Sequence, residues 1–298
     1  MPPPKGRGFK GLNKKMVQYS YPFISDLMPF WYAAAFILGA CVGSFLNVVI
    51  YRVPEGISLI SPPSHCPKCK KDIPWYLNIP MLSWLLLRGK CAECSCRIPI
   101  RYFLIELLTG VMFLLVFAKA VFYHEPLQLL AVYFGLTMLV ITTVFIDFEH
   151  QIIPDKTTYP AMVLGLVSAA VFPITWFTGS HWLALGQSAL CLAVCGGLLA
   201  LFTLLGSKLF GRDALGWGDV KYIAAIGACL GGRAAYFTLL FGAITGATVG
   251  IVLMIRKKKD FEGTISFGPF LAAGTYVWLL FDHEIIRFYE TTIEKIQL

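Results

Sequence analysis

Long apolar runs, each of the length that crosses a lipid bilayer, constrain the fold of this chain more than any other feature. The first runs from Phe30 to Tyr51, and the others follow it with short polar or basic segments between them. Only helices and closed barrels satisfy their backbone groups in lipid, and about 20 apolar residues suffice for one helix. Of the 298 residues, 57% are hydrophobic and 14% are charged, against roughly a quarter charged in soluble proteins. The sequence therefore predicts an all-α polytopic membrane protein.

The hydropathy pattern predicts about eight transmembrane helices. The first is 30–51, and the others are 102–122, 127–146, 158–177, 182–205, 220–232, 234–255 and 266–282. An N-terminal tail at 1–29 and a C-terminal tail at 283–298 flank them. The sixth predicted span is short and ends at Gly231-Gly232. Such a helix is tolerated where neighbouring helices or a water-filled cavity satisfy its backbone.

Residues 52–101 interrupt the apolar pattern with a small insert that is rich in turn residues. The insert holds eight Lys or Arg residues against three acidic ones, and basic residues collect in cytoplasmic loops. We therefore expect the insert to face the cytoplasm. Alternation of sides places three further loops on the same face, namely Asp147–Lys156, Ser207–Asp219 and Arg256–Thr264. The formal charge of +8 is explained by these loops, so membrane lipid is an expected partner and nucleic acid is not.

The same alternation places the N-terminus outside, although the stretch from Lys5 to Lys15 is basic. Two explanations are open. Either the insert overrules the tail in setting the orientation, or translation starts at Met16. No cleavable signal peptide is predicted, because the first apolar run is longer than the apolar region of a signal peptide.

Two cysteine pairs in the insert predict a metal site. The pairs are Cys66-Pro-Lys-Cys69 and Cys91-Ala-Glu-Cys94, with residues 70–90 between them. Paired C-x2-C motifs at about this distance are typical of tetrahedral Zn²⁺, and a metal supplies folding energy that a small insert lacks. Disulfides are the alternative, but a cytoplasmic face is reducing. Cys96 is interpreted as a spare thiol beside the site.

Two aspartates at the ends of apolar runs are candidate catalytic groups. Asp147 ends its predicted helix, where the helix dipole disfavours negative charge, and Asp219 begins another, where the dipole favours it. Asp219 taken alone is explained equally well as a helix N-cap. If the two carboxylates approach each other, one keeps its proton, and helix polarity predicts Asp147 as acid and Asp219 as base. Asp155, which follows Pro154, is predicted to cap the fourth span.

Several motifs occur in an order that resembles one known family. The motifs are Gly43 to Arg52, the two cysteine pairs, Arg101-Tyr102 leading to Glu106, Asp147 with Pro154-Asp155, and Gly216-Trp-Gly-Asp219. Together they resemble the type IV prepilin peptidase family over about residues 33–282. The resemblance implies an inner-membrane aspartic endopeptidase that removes the leader from prepilins and pseudopilins at the cytoplasmic face. It also implies N-methylation of the new terminal residue, usually phenylalanine, by S-adenosylmethionine.

The resemblance also implies roles for particular residues. Asp147 and Asp219, and not Asp155, correspond to the catalytic pair of a peptidase core at 102–282. Gly89 and Lys90 match a Gly-Lys pair of the family and are candidates for methylation. The implied Zn²⁺ ligands are Cys66, Cys69, Cys91 and Cys94.

Two other functions remain open at this point. A cation-coupled transporter also carries intramembrane carboxylates, but it would place them near the bilayer midplane and show repeated halves. A peptidase without methylation would use the insert only to hold substrate. No glycine-rich cofactor loop of the Rossmann type is found, so methyl transfer rests on the resemblance alone.

Overall fold

The computed structural model describes residues 27–210, 215–256 and 266–296. Within these ranges the chain is almost entirely helical, and its β-structure is limited to two isolated bridges in the insert. Eight helices of 14 residues or more follow one another. They are α1 (Met28–Arg52), α2 (Ile100–Phe122), α3 (Leu129–His150), α4 (Asp155–Val171), α5 (His181–Phe210), α6 (Trp217–Leu230), α7 (Gly232–Arg256) and α8 (Gly268–Ile296). The predicted fold class is confirmed, with one helix for each predicted span.

Five of these helices are long and apolar enough to cross a membrane by length and composition alone, namely α1, α2, α3, α5 and α7. The other three depart from a simple span for visible reasons. Helix α4 has 17 residues and contains Pro160, and α6 has only 14 residues. Helix α8 carries a non-helical residue, Phe281, at a kink where its polar half begins.

The largest difference from the predicted boundaries is at the C-terminus. A tail was predicted from residue 283, yet α8 continues to Ile296. The apolar run does end there, but Asp282 and His283 bind polar partners. The Asp282 carboxylate lies 2.9 Å from the Lys119 ammonium, and His283 Nε2 lies 2.8 Å from the Glu125 carboxylate. Residues 1–26 of the predicted N-terminal tail lie outside the described part of the chain.

Glycines bring α1 and α2 into close contact. A Cβ atom on Gly39 would lie 2.7 Å from Phe113 Cβ and 2.7 Å from the Thr109 carbonyl oxygen. A Cβ atom on Gly43 would lie 2.8 Å from the Cα atom of Glu106. Small residues allow helix backbones to approach in this way in membranes, where helix association depends on packing. The pair α1–α2 therefore forms a fixed support for the insert between them.

Helix α6 is enclosed by protein. It packs against α4, α5 and α7, and residues 222–229 are buried without interruption. Glycines again allow the approach, because a Cβ on Gly165 of α4 would lie 2.7 Å from the Ala228 carbonyl oxygen. The Ser188 hydroxyl of α5 donates to that same oxygen at 2.7 Å. A helix too short to cross the bilayer is stable here because its neighbours satisfy its end.

We expect Gly39→Ala to destabilise the protein by about 1–3 kcal/mol, because the added methyl group meets fixed atoms of α2. Gly197→Ala in α5 is the matched control, since a Cβ there has nothing within 4 Å. Both changes place alanine in a helix interior, so helix propensity cancels between them. The measurement is the unfolding midpoint in detergent micelles. Equal midpoints for the two variants would show that α1 and α2 do not pack as described.

Candidate active site and metal centre

Asp147 lies where the end of α3 meets the beginning of α8. Its carboxylate is buried, with the residue 5% exposed, and its Oδ2 atom accepts a hydrogen bond from the Gly268 backbone N–H at 2.8 Å. The Ser266 hydroxyl donates to the Asp147 carbonyl oxygen at 2.8 Å. A Cβ on Gly268 would lie 2.6 Å from Asp147 Oδ2, so only glycine fits this contact without a shift. The start of α8 thus fixes the position of the Asp147 carboxylate.

Asp219 is held in the first turn of α6, where it follows the N-cap residue Gly216. The two glycines of the Gly-Trp-Gly-Asp sequence have separate packing roles. A Cβ on Gly216 would lie 3.0 Å from the Asp219 carboxylate, and one on Gly218 would lie 2.9 Å from Ile153 Cβ. Asp219 is close enough to Asp147 for their charges to interact. The structure therefore brings the two predicted carboxylates to one site, and Asp219 is not the N-cap of its helix.

The structure contradicts the predicted cap at Asp155. Asp155 is the first residue of α4, the N-cap position belongs to Pro154, and no side-chain capping hydrogen bond forms there. The Asp155 carboxylate instead accepts a 2.6 Å hydrogen bond from the Lys221 ammonium. Lys221 also lies 5.3 Å above the Tyr159 ring. The cap fails because a lysine on α6 offers the carboxylate a stronger partner than backbone amides, and the pair ties α4 to α6 beside Asp219.

The contact between Asp147 and Gly268 was not predicted from the sequence. It places the Asp147 carboxylate at the start of one helix as well as at the end of another. The C-terminal end of α3 is unfavourable for a negative charge, but the N-terminal end of α8 supplies a backbone donor to the same carboxylate. Polarity of the helices therefore no longer separates Asp147 from Asp219 as acid and base. One signal was available in the sequence: Gly268-Pro269 is typical of a helix start, where proline is tolerated in the first turn.

The insert is docked on α1 and α2 by buried polar contacts. The Met81 backbone N–H donates to the buried Glu106 carboxylate at 2.7 Å, and Asn47 Nδ2 donates to the Tyr102 carbonyl oxygen at 3.2 Å. Arg101 at the start of α2 pairs with Glu149 at the end of α3. Because Glu149 is two residues from Asp147, the insert and the two aspartates lie at the same end of the helix bundle.

The two cysteine pairs form knuckles of the same backbone shape. In the first, the Lys70 amide donates to the Cys66 carbonyl oxygen at 2.9 Å, and in the second the Ser95 amide donates to the Cys91 carbonyl oxygen at 3.0 Å. Lys70 and Ser95 both have positive φ angles, 60° and 56°. An isolated bridge closes each knuckle, His65 to Asp72 and Lys90 to Arg97. Cys96 therefore occupies in the second knuckle the place that Lys71 occupies in the first.

The cysteine sulfurs converge as a tetrahedral metal site requires. The four sulfurs that lie within 4.8 Å of one another belong to Cys66, Cys91, Cys94 and Cys96. Cys66 Sγ lies 3.8 Å from Cys94 Sγ and 3.4 Å from Cys96 Sγ. A zinc–sulfur bond of about 2.3 Å gives a tetrahedral edge of about 3.8 Å. The spacing therefore fits a Zn²⁺ ion.

The backbone of the first knuckle also favours a metal-binding thiolate. Hydrogen bonds from the amides of Cys69 and Lys68 lower the pKa of Cys66 to about 6. The predicted ligand set differs from the geometry at one position. Cys96, interpreted from the sequence as a spare thiol, belongs to the close group, whereas the thiol of Cys69 lies beside Cys66, Cys91 and Cys94. The site thus offers five thiols for the four positions of a tetrahedral ion.

The two methylation candidates lie at the base of the second knuckle. Gly89 is buried with a φ of 66°, and a Cβ on it would lie 2.8 Å from the Trp84 ring. Its carbonyl oxygen accepts a hydrogen bond from the Ile98 amide at 2.8 Å. Lys90 is exposed and follows this turn. Gly89 therefore has a structural reason to be glycine. Its backbone conformation also determines where the side chain of the next residue, Lys90, lies.

Two family descriptions match the chain. Residues 37–120 match the bacterial peptidase A24 N-terminal domain, and this range covers most of α1, the insert and most of α2. Residues 133–251 match the type IV leader peptidase family, which includes both Asp147 and Asp219. The chain belongs to the type IV leader peptidase family.

Relatives named prepilin leader peptidase/N-methyltransferase are similar over most of the chain. The protein of Myxococcus xanthus is 39% identical over 78% of this chain, which spans 65% of that relative's length. The protein of Neisseria gonorrhoeae is 38% identical over 87% of this chain and 92% of its own length. The protein of Aeromonas salmonicida is 32% identical over 88% and 95% of the respective lengths. No solved structure matches the chain significantly.

We expect the insert to bind one zinc ion and to keep it when Cys69 alone is replaced. In Cys69→Ser, Cys96 completes the four thiolates, so the zinc dissociation constant should stay within about tenfold of the native value. In the Cys69→Ser/Cys96→Ser double variant the zinc dissociation constant should rise by more than about 100-fold. Loss of a zinc ligand weakens binding more than loss of a residue that only contacts a ligand. Competition with a chromogenic chelator measures the affinity, and X-ray absorption counts the sulfur ligands. A drop from four sulfurs to three in Cys69→Ser would exclude Cys96 as a ligand.

Proposed function

We propose that Asp147 and Asp219 are the catalytic pair of an aspartic endopeptidase that removes the leader of prepilins and pseudopilins, after which the enzyme N-methylates the new terminal residue. Two carboxylates from separate helices lie at one end of the bundle, close enough for their charges to interact, and this observation carries the peptidase proposal. Membership of the leader peptidase family and the names of its relatives support both activities.

The proposed cleavage uses the two carboxylates as one acid–base unit. Two interacting carboxyl groups share a proton, so one is available as base and the other as acid. The base takes a proton from a water molecule, whose oxygen forms a bond to the scissile carbonyl carbon. The acid gives its proton to the leaving nitrogen as the carbon–nitrogen bond breaks. The products are a leader with a free carboxylate and a pilin with a free terminal amine.

The second proposed activity adds one methyl group to that amine. S-Adenosylmethionine supplies a methyl group on a positively charged sulfur, which accepts the carbon–sulfur bonding electrons when the methyl group leaves. The unprotonated pilin amine provides the electron pair of the new carbon–nitrogen bond and then releases a proton. The insert is the proposed place for this step, with Zn²⁺ as a structural ion held by Cys66, Cys91, Cys94 and either Cys69 or Cys96. Lys90, whose direction Gly89 sets, is a candidate to act on this reaction.

We place both activities on the cytoplasmic side of the inner membrane. The insert, Asp147 and Asp219 occupy one end of the bundle, and the basic residues of the insert favour the cytoplasm for that end. A cation-coupled transporter is less well supported. Its charges would line a path near the midplane, whereas Asp147 and Asp219 lie at helix ends and the buried Lys119 is paired with Glu125 at the opposite end.

Asp147→Asn and Asp219→Asn should each lower the rate of leader cleavage by more than about 10³-fold, because members of a catalytic unit fail together. Asp155→Asn is the matched control, since its carboxylate pairs with Lys221, and it should keep nearly native cleavage. Mass spectrometry of a co-expressed prepilin gives the fraction that retains its leader. Efficient trimming by either of the first two variants would refute the catalytic pair.

Gly268→Ala should reduce leader cleavage by about 10–100-fold without unfolding the protein, because the methyl group displaces the Asp147 carboxylate from its position. Gly232→Ala, at a site with nothing within 4 Å of the added Cβ, is the control and should leave the rate unchanged. Initial rates are measured with purified prepilin in detergent. Equal rates for the two variants would mean that the contact with Gly268 does not position Asp147.

A further inference from the structure

The motif from Gly43 to Arg52 contains residues that neither helix packing nor the aspartate pair explains. Gly43 is required by the approach of α2, and Asn47 binds the start of α2. Ser44 and Arg52 instead lie on another face of α1, together with Phe45 and Val48. This face carries alternating polar and apolar groups at a place where a lipid-facing helix would be apolar throughout.

A cavity of about 370 Å³ opens between this face of α1 and the insert. Its walls are the four α1 residues just named, Cys41 of the same helix, and insert residues that include Ser64 and Asn78. The volume lies within the range of about 300–1,000 Å³ that is usual for small-molecule sites. Beside the cavity, the buried Glu106 carboxylate of α2 accepts a hydrogen bond from the Met81 backbone N–H at 2.7 Å, which holds the insert against α2. The cavity is therefore a feature of how the insert docks.

Arg52 gives the cavity a buried positive charge. The residue is 7% exposed, and its guanidinium group donates to the Ser58 carbonyl oxygen at 2.9 Å and to the Pro63 carbonyl oxygen at 3.5 Å. Among the described residues, no carboxylate lies within ion-pair distance of it. A buried charge usually has a partner of opposite sign, and a guanidinium group suits a carboxylate or phosphate. The cavity thus fits a ligand with an anionic group.

The remaining walls describe the rest of that ligand. Phe45 and Val48 offer apolar surface on which a flat ring can pack, and the Asn78 amide and Ser64 hydroxyl offer hydrogen bonds. S-Adenosylmethionine combines an anionic carboxylate with an adenine ring and ribose hydroxyl groups. A phosphatidylglycerol headgroup shares the anionic group and the hydroxyl groups with this description but lacks the flat ring. Neither Gly89 nor Lys90 belongs to the cavity wall, so those residues would act on methylation through the second knuckle.

We propose that the cavity between α1 and the insert is the S-adenosylmethionine site, with Arg52 binding the carboxylate of the methyl donor. The proposal rests on the methyl-transfer activity proposed above and assigns its cofactor site. It places the methyl donor on the same end of the bundle as the aspartate pair. The newly formed pilin amine then reaches the donor without crossing the membrane.

The test is equilibrium binding of S-adenosylhomocysteine to the purified full-length protein in detergent micelles, measured by calorimetry. Val48→Trp, which fills the cavity, and Arg52→Gln, which removes the charge, should each raise the dissociation constant by at least tenfold. Ile37→Trp is the matched control, since Ile37 is an exposed residue of the same helix, and it should bind as the native protein does. Zinc content and unfolding midpoint establish that each variant is folded, and Asn78→Leu replaces Arg52→Gln if the latter unfolds.

Native affinity in both folded cavity variants would overturn the proposal, even if the protein methylates pilin. Loss of phosphatidylglycerol binding with unchanged S-adenosylhomocysteine binding would overturn it too and assign the cavity to lipid. A native protein that trims pilin but neither binds S-adenosylhomocysteine nor methylates would refute the methyl-transfer activity itself. These outcomes separate a wrong location from a wrong function.

Discussion

Backbone N–H and C=O groups away from water need hydrogen-bond partners, and this requirement determines how the helices of the protein pack. Helix α6 has only 14 residues and begins with a Gly-Trp-Gly-Asp sequence, so it cannot stand alone in a bilayer. It is stable because α4, α5 and α7 surround it and because glycines on both sides allow backbones to touch. Its Tyr222 hydroxyl also donates to Thr275 of α8 at 2.9 Å. The result is a short helix whose first turn, with Asp219, is held in a fixed position by the helices around it.

Close packing of helices also positions the second carboxylate, that of Asp147. Asp147 ends α3 at the point where α8 begins, and the Gly268 amide binds it directly. The Asp147 side chain therefore depends on the packing of α8 against α3. Helix α8 is held again at its kink by the contacts of Asp282 and His283 with Lys119 and Glu125. The position of each aspartate is thus determined by the start of a helix, and packing within the bundle holds that start in place. In this way the protein keeps polar groups at the site without leaving backbone groups unpaired.

Much of the fold was predictable from the sequence, because each predicted span became one helix, including the short sixth span. The segment after 282 differs from the prediction in being helical: the helix breaks at Phe281, beside the predicted end of the span, and then continues to Ile296. Asp282 and His283 are paired there, which hydropathy does not register. Asp147 and Asp219 were recognisable as carboxylates at helix ends, and their catalytic role stays a proposal. The contact of Gly268 with Asp147 was not predictable, since it joins residues far apart in the chain. Nor was the place of Cys96, which depends on the equivalence of the two knuckles.

If Asp147 and Asp219 act as one catalytic unit, the effects of replacing them are not independent, and a double-variant comparison shows whether this is so. Single-turnover cleavage of a radiolabelled prepilin is measured for Asp147→Asn, Asp219→Asn and the variant that carries both changes. Substitutions within one catalytic unit are strongly non-additive, so we expect the double variant to be no slower than the slower single variant. Losses that multiply in the double variant would show that the two aspartates contribute independently and are not one unit.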